Sequence, residues 1–168
     1  MRRTRCLSRL AMGGALALFL SGAQAQVETD TFLVTITIQG TCMIVSASDI
    51  DFGAQLSNPG THSQTGLIQV QCTKDLEFTL GLDGGTTTGD VNARAMVNAT
   101  DVRIPYTLRR ESATGPNWGN DPATAYSGTG LGIGSEYAIN VTVYAQAVVA
   151  GTEPVGVYTD TVTATLTY

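Results

Sequence analysis

The feature that most constrains the fold is a period-two alternation of apolar and polar residues, which recurs in short segments along the chain. The first of these segments is 31–39, and its alternating apolar residues are Phe32, Val34, Ile36 and Ile38. Such alternation predicts a strand with one apolar face and one solvated face. No turn signal follows that would fold the segment straight back as a hairpin. The sequence therefore leaves open whether this strand joins its own sheet or that of another chain.

Other short strands are predicted between turn signals, and no segment shows a convincing helical period. The predicted strands are 41–47, 67–72, 77–82, 94–98, 102–109, 137–148 and 158–168, with a short extended piece at 50–53. Composition predicts a loop at 58–66 and a loop-rich middle at 111–134. Pro105 donates no ladder hydrogen bond, so we expect its strand to lie at an edge or to contain a bulge.

Short strands without helices predict an all-β fold, specifically an immunoglobulin-like β-sandwich. The last predicted strand alternates through Tyr158, Asp160, Val162, Ala164, Leu166 and Tyr168. We expect no strand after it, although a sandwich of this type needs one more strand at that edge. The predicted strand at 31–39, by contrast, is one more than the sandwich needs at its N-terminal end. The sequence thus predicts an incomplete sandwich that lacks its last strand and has a spare first one.

The N-terminal residues have the pattern of a secretory signal peptide. A basic region precedes the apolar run 10–20, and a small-x-small site predicts cleavage between Ala25 and Gln26. The apolar run is too short for a membrane span, which takes about 20 residues. We therefore expect a signal peptide at 1–25, an N-terminal extension at 26–40 and one domain at 41–168, with no membrane span in the mature chain.

Charge and cysteine content narrow the class of function. The chain has 9 basic and 14 acidic residues, and four of the basic ones lie in the predicted signal. Nucleic-acid binding is disfavoured, because phosphate contacts need a basic surface. Cys42 and Cys72 form an even pair in an exported chain, which predicts a disulfide. A metal site is the weaker alternative, since His62 is the only histidine. We expect neither metal nor cofactor.

Three segments contain residue types that occur in catalytic sites, but none of them has the pattern that catalysis would need. The glycine-rich run 128–134 lacks the spacing, the following helix and the Lys-Ser/Thr pair of a phosphate loop. His62 is predicted to lie in a solvated loop, and its neighbour Ser63 does not make a triad with it. Asp49 and Asp51 could serve glycoside hydrolysis, but they fit a solvated edge at least as well. We predict that the protein is not an enzyme.

Several short motifs occur together along nearly the whole predicted mature chain. Besides the alternating strand that runs into Cys42, they are IDFG at 50–53, LIQVQC at 67–72, FTLGLDGG at 78–85, RAM at 94–96, IPYTL at 104–108, Trp118-Gly119, VTVYA at 141–145 and GVYTDTVTATLTY at 156–168. In this combination the chain resembles the spore coat protein U family, which includes the major subunits of archaic, Csu-type chaperone–usher pili. One departure is Ala145, where that family's pattern leads us to expect glycine.

The resemblance implies an incomplete immunoglobulin-like fold that is completed by donor-strand complementation. In this arrangement a periplasmic chaperone lends a strand until the N-terminal extension of a neighbouring subunit replaces it. The implied donor face is Phe32, Val34, Ile36 and Ile38. The implied wall of the acceptor groove is Val162, Ala164, Leu166 and Tyr168.

The resemblance also implies a function, partners and a location. The expected function is a structural pilin of a surface fimbria that supports attachment and biofilm formation. The expected partners are a periplasmic chaperone, an outer-membrane usher and neighbouring pilins, reached by export through the periplasm to the cell surface. Two alternatives stay open: a spore or envelope coat protein of the same fold, and a minor adhesin or adaptor subunit that binds surfaces. A hydrolase is the weakest alternative.

Overall fold

The computed structural model describes residues 25–168, so the predicted signal peptide lies outside the described residues except for Ala25. The described chain divides into two units, 25–37 and 38–168. The second unit contains strands β1 (Cys42–Ala47), β2 (Gly60–Cys72), β3 (Glu77–Leu82), β4 (Ala95–Val97), β5 (Arg103–Arg109), β6 (Tyr126–Thr129), β7 (Ile139–Val149) and β8 (Ala164–Thr167), the short helix α1 (Gly85–Thr88) and a 3-10 turn (Ser135–Tyr137). None of the helices in the part that the structure describes could cross a membrane.

The strands form two antiparallel sheets around one apolar core, as the sequence predicts. The five-stranded sheet has the order β1-β2-β7-β5-β4, and the three-stranded sheet has the order β6-β3-β8. Alternate residues of each strand point into the core, as in β3, where Phe78, Leu80 and Leu82 are buried. The fold is thus all-β and immunoglobulin-like.

Trp118 is buried in the core next to β3. Its side chain is fully buried, and its indole Nε1–H donates a hydrogen bond of 2.8 Å to the carbonyl oxygen of Leu80. The ring of Tyr126 on β6 packs against both Trp118 and Phe78, with centroid distances of 6.1 and 6.3 Å. Because the indole donor is paired, this large side chain is buried without an unsatisfied polar group.

The prediction of a loop at 58–66 is wrong. Strand β2 begins at Gly60 and pairs with β7 residue by residue from Gly60 opposite Val149 to Val70 opposite Ile139. The first half of β2 is rich in Thr, Ser and Gln, which composition alone assigns to a loop. Its ladder bonds come from the long strand β7, so tertiary pairing overrides the local composition.

Three further predictions about strands need correction. Strand β6 lies inside the predicted loop-rich middle and pairs with β3. Strand β5 is not an edge, because β4 and β7 flank it, but its ladder with β7 covers only residues 106–109 and so leaves Pro105 outside. Within the predicted strand 158–168, regular pairing is limited to β8, with one isolated bridge between Thr159 and Val97.

The extended piece at 50–53 is not a strand, but it packs on the core. Ile50 and Phe52 are half-buried against the core cluster. A Cβ added at Gly66 on β2 would lie 2.7 Å from Ile50 Cγ1, well inside van der Waals contact. The glycine therefore leaves the room that Ile50 occupies over β2.

Candidate functional site

The two sheets each end in a strand with an open edge, and these two edges approach one another. Strand β1 is at the edge of the five-stranded sheet and β8 at the edge of the three-stranded sheet. Within residues 25–168, β1 pairs only with β2, and β8 pairs only with β3. The two strands are in contact range. We call the space along these edges the β1–β8 cleft; each edge presents backbone N–H and C=O groups that another strand could pair with.

Apolar side chains line this cleft without being fully covered. Ile44 on β1 and Val162, Ala164 and Leu166 on or just before β8 are half-buried against the core. Tyr168 is 60% exposed. Of the four side chains assigned to the groove wall from the sequence, Ala164 and Leu166 lie on β8, Val162 lies just before it and Tyr168 just after it. Their role as a groove wall stays a prediction.

The segment with the alternating apolar residues is exposed. Phe32, Val34 and Ile36 in the first unit, and Ile38 at the start of the second, are between 74% and 87% exposed. No residue of 25–41 belongs to a strand. A contiguous row of large apolar side chains exposed to water is typical of an interaction surface.

The disulfide between Cys42 and Cys72 is present, which confirms its prediction. These residues face one another in the ladder of β1 and β2. Just before the disulfide, Thr41 and Thr73 exchange hydrogen bonds, from Thr73 N–H to Thr41 O and from Thr41 N–H to Thr73 Oγ1. Together these links fix the first residues of β1, whose other edge is open.

A partly buried polar network, which sequence analysis missed, supports the residues that precede β8. The carboxylate of Asp160 accepts hydrogen bonds from Tyr106 OH at 2.6 Å, from Thr86 Oγ1 at 3.0 Å and from both the N–H and the Oγ1 of Thr87 at 2.9 Å. A Cβ added at Gly85 would lie 2.0 Å from Asp160 Oδ2, so only glycine fits there. We call Asp160 and these partners the polar anchor.

Arg94 and Asp83 extend this anchor into the core. The buried guanidinium of Arg94 donates to the backbone carbonyls of Leu82, Asp83 and Trp118, and the shortest bond to each is 3.0, 2.5 and 2.7 Å. Asp83 Oδ1 accepts from the backbone N–H groups of Gly85 and Thr163 at 3.0 and 2.9 Å. The anchor thus ties α1, the end of β3 and the chain before β8 together.

The electrostatics of the anchor follow from these contacts. Burial alone would raise the pKa of Asp160, but the hydrogen bonds from Tyr106, Thr87 and Thr86 outweigh it, so the pKa lies below the ordinary value. Asp83 behaves in the same way, because bonds from Thr163 and Gly85 and the charge of Arg94 outweigh burial and lower its pKa. Burial and the bond to Asp160 raise the pKa of Tyr106. Both carboxylates are therefore held in the charged form.

The residues considered for catalysis do not converge. His62 lies on β2 rather than in a loop, is half-buried and sits opposite Ala147. Ser63 is exposed on the other face of the strand, since successive side chains alternate. Asp49 and Asp51 are exposed, and Asp51 Oδ1 accepts a hydrogen bond from Gly53 N–H at 2.7 Å.

The sequence matches the Spore Coat Protein U domain over residues 28–165, which is most of the chain. The chain belongs to the Spore Coat Protein U domain family. This confirms the resemblance that the motifs suggest. A comparison with curated protein sequences found no match.

A solved structure is similar to this Spore Coat Protein U domain chain. It is the complex of CsuC with CsuE, a chaperone–tip adhesion subunit pre-assembly complex from the archaic chaperone–usher Csu pili of Acinetobacter baumannii. The matched chain is 25% identical with a TM-score of 0.54, and the alignment covers 79% of this chain and 40% of that one. This chain therefore spans less than half the length of the chain it matches.

Proposed function

We propose that this protein is a structural subunit of an archaic chaperone–usher pilus and that it polymerises by donor-strand exchange. One observation carries the proposal: the chain has both an open cleft lined by half-buried apolar side chains and a separate exposed segment with apolar residues at alternate positions. The segment of one copy would pair with the open edge of β8 in the next copy. This is β-augmentation, in which main-chain bonds supply affinity and alternate side chains fill pockets.

The free energies of burying and ordering the donated segment are compatible with such an exchange. Burial of four large apolar side chains at about 1.5–3 kcal/mol each gives roughly 6–12 kcal/mol as an upper bound. Ordering about a dozen residues opposes this with a similar amount. The surplus must come from new ladder hydrogen bonds and from covering Ile44, Val162, Ala164 and Leu166. A subunit with an empty cleft is accordingly expected to be marginally stable and prone to edge-to-edge aggregation.

The same exposed edges support the proposed partners and location. A periplasmic chaperone that lends a strand would protect the cleft before assembly, and an outer-membrane usher would order the exchange. The product would be a fibre at the cell surface that supports attachment and biofilm formation. Since the donated segment and the cleft are different surfaces, the contact is heterologous and does not close on itself, which is the geometry of a fibre.

Point variants of the donor face test the proposal. The chain is expressed with its chaperone and usher as the parent, as Ile36→Asp and as the matched control Thr37→Asp on the solvated face. Burying an unpaired carboxylate in an apolar cleft is strongly unfavourable, so we expect Ile36→Asp to lose most fibres and Thr37→Asp to retain them. Deletion of 26–40 should abolish polymerisation. Fibres of normal length from the deletion variant would refute donor-strand exchange.

A minor subunit at the fibre tip is the second candidate, because the similar structure contains a tip adhesion subunit. A subunit at the tip has no further cleft to fill, whereas this chain has an apolar alternating segment at 32–38. That segment favours a position within the shaft. Immunogold labelling along the fibre would distinguish the two, since labelling confined to one end would indicate the tip.

A further inference from the structure

Strand β5 concentrates the positive charge of the chain. Five basic residues follow the predicted cleavage site, and three of them, Arg103, Arg109 and Arg110, lie on or directly after β5. Of the other two, Arg94 is buried and Lys74 lies in the turn between β2 and β3. In a chain with 14 acidic residues, this concentration of arginine on one strand departs from the overall charge.

A groove follows the outer face of this strand. Side chains at positions 103, 105, 107 and 109 point away from the core, because the alternate residues between them are buried. The groove has a volume of about 420 Å³ and is completed by Gln146 and Val148 of β7 and by Asn92, which precedes β4. We call it the β5 groove. Its volume is in the range of known ligand sites, which is about 300–1,000 Å³.

The β5 groove lies where the pairing of β5 with β7 ends, and it combines apolar and polar groups. The ladder covers residues 106–109 of β5, so Pro105 is outside it. Pro105 and Val148 are exposed in the groove and form its apolar part. Thr107 and Gln146, which are opposite one another in the ladder, supply a hydroxyl and an amide. This combination suits a sugar ring, which has apolar C–H faces and a rim of hydroxyl groups.

Two arginines determine the charge of a ligand in this groove. Arg103 and Arg109 both line it, and the described residues that line it include no Asp or Glu. Arg103 is 3.5 Å from Asp101, but both side chains are exposed, and such a pair contributes little. Arg109 donates through Nη1 to Gly115 O at 2.8 Å, while its buried Nε has no partner among the described residues. A guanidinium binds carboxylates through two parallel hydrogen bonds.

The separation of the two arginines favours a polymer over a small anion. Six strand residues at about 3.3 Å each place the Cα atoms of Arg103 and Arg109 about 20 Å apart. One carboxylate cannot reach both side chains, whereas an extended polysaccharide with a carboxylate on each sugar can. Duplex DNA carries a charge for about every 1.7 Å of its axis. The acidic surface of the rest of the chain would repel so dense a charge.

We propose that the β5 groove binds an acidic polysaccharide of the polyuronate class. The arginines bind carboxylates, the hydroxyl and the amide bind sugar hydroxyls, and a ring packs on the apolar part; the contacts are, in that order, Arg103 and Arg109, Thr107 and Gln146, and Pro105 and Val148. In the sheet order β2 and β7 separate β5 from β1, so a strand in the β1–β8 cleft would leave the groove open. In a fibre of the kind proposed above, every subunit would present one groove, and weak contacts would add up along one polysaccharide.

Binding of linear polygalacturonate to the purified full chain, measured by surface plasmon resonance, tests the proposal. The variants are Arg103→Gln and the double variant Arg103→Gln with Arg109→Gln. The matched control, Lys74→Gln, removes one positive charge outside the groove. We expect binding to weaken at least about fivefold in the single variant and at least about tenfold in the double variant, and to change by less than about twofold in the control. Unchanged emission of Trp118 shows that a variant keeps the fold.

The choice of ligand separates the outcomes. Methyl-esterified polygalacturonate keeps the sugar chain but has lost its charge, so we expect no binding, and equal binding of the ester would overturn the proposal. An equal loss of binding in Lys74→Gln would also overturn it, because only the total charge would then matter. Duplex DNA bound as tightly as polygalacturonate would overturn the polyuronate assignment. The assay uses single chains, so its result does not depend on whether donor-strand exchange occurs. Arg103→Gln is decisive even if the double variant unfolds, since Arg103 has an exposed side chain.

Discussion

Replacing Asp160 by asparagine should destabilise the subunit through the polar anchor. The carboxylate of Asp160 accepts four hydrogen bonds, of which the shortest, 2.6 Å, comes from Tyr106 OH. An amide keeps the shape of the side chain but removes the charge and turns one acceptor into a donor. The amide nitrogen must then face either Tyr106 or the hydroxyl and N–H groups of Thr86 and Thr87.

The magnitude follows from the kind of bond that is lost. A hydrogen bond to a charged group contributes about 1.5–3 kcal/mol, and all four bonds to Asp160 are weakened when the charge is removed, even where the amide donates to the hydroxyl oxygen of Tyr106. We therefore expect the free energy of unfolding to fall by about 2–4 kcal/mol. This is a large share of the stability of a domain of this size, which is about 5–15 kcal/mol.

Fluorescence of the single tryptophan provides the assay. Trp118 is fully buried and is bonded to Leu80, so urea unfolding of the purified chain should change its emission. The matched control is Asp101→Asn, which removes an exposed carboxylate 3.5 Å from Arg103. Exposed pairs contribute about 0–1 kcal/mol. If Asp160→Asn unfolds within about 0.5 kcal/mol of the control, the polar anchor does not stabilise the fold as argued.

The pH dependence gives an independent check of the same reasoning. The pKa of Asp160 is lower in the folded chain than in the unfolded one, where it is about 4. The unfolded state therefore binds the proton more readily, and the stabilisation is complete above about pH 4 and is lost as pH falls through the folded-state pKa. The stability difference between parent and Asp160→Asn should thus shrink steadily below about pH 4. A difference that stays constant into that range would contradict an ionised Asp160.

Two further changes test the backbone that holds the cleft. Gly85→Ala should destabilise the fold more than Gly89→Ala, because both glycines have positive φ but only the Gly85 Cβ would collide with Asp160; equal urea midpoints would contradict this. Replacement of Cys42 and Cys72 by serine should lower the free energy of unfolding by about 3–4 kcal/mol, the chain-entropy value for a loop of this size. The parent under reducing conditions is the control, and a double variant as stable as the oxidised parent would show that the bond is dispensable.

Local sequence patterns predict those strands whose own residues alternate between apolar and polar. Strands β3 and β7 are found close to their predicted bounds, because alternate apolar residues mark their buried faces. The pairing of Cys42 with Cys72 follows from the two cysteines that lie after the predicted cleavage site of an exported chain. The first half of β2 has no such signal, since it owes its structure to hydrogen bonds with β7.

The sequence indicates the unusual position of Asp160 in the polar anchor but does not identify its hydrogen-bond partners. Asp160 occupies the inward row of an alternating segment, between Tyr158 and Val162, where a charge is unexpected without a partner. That position could have been singled out as a partly buried charge. Its partners Thr86 and Tyr106 are more than 50 residues away along the chain, and nothing in their local sequence connects them with Asp160.

The anchor also holds one side of the β1–β8 cleft in place. Strand β8 has only four paired residues and no neighbour on its outer edge among residues 25–168. The chain just before it is held instead by Asp160 and by the bond from Thr163 N–H to Asp83. These bonds lie at the inner side of the segment, so they do not use the edge groups that a donated strand would need. A cleft fixed in advance spares an incoming strand the cost of ordering its partner, and this preorganisation increases the affinity available from a given set of contacts.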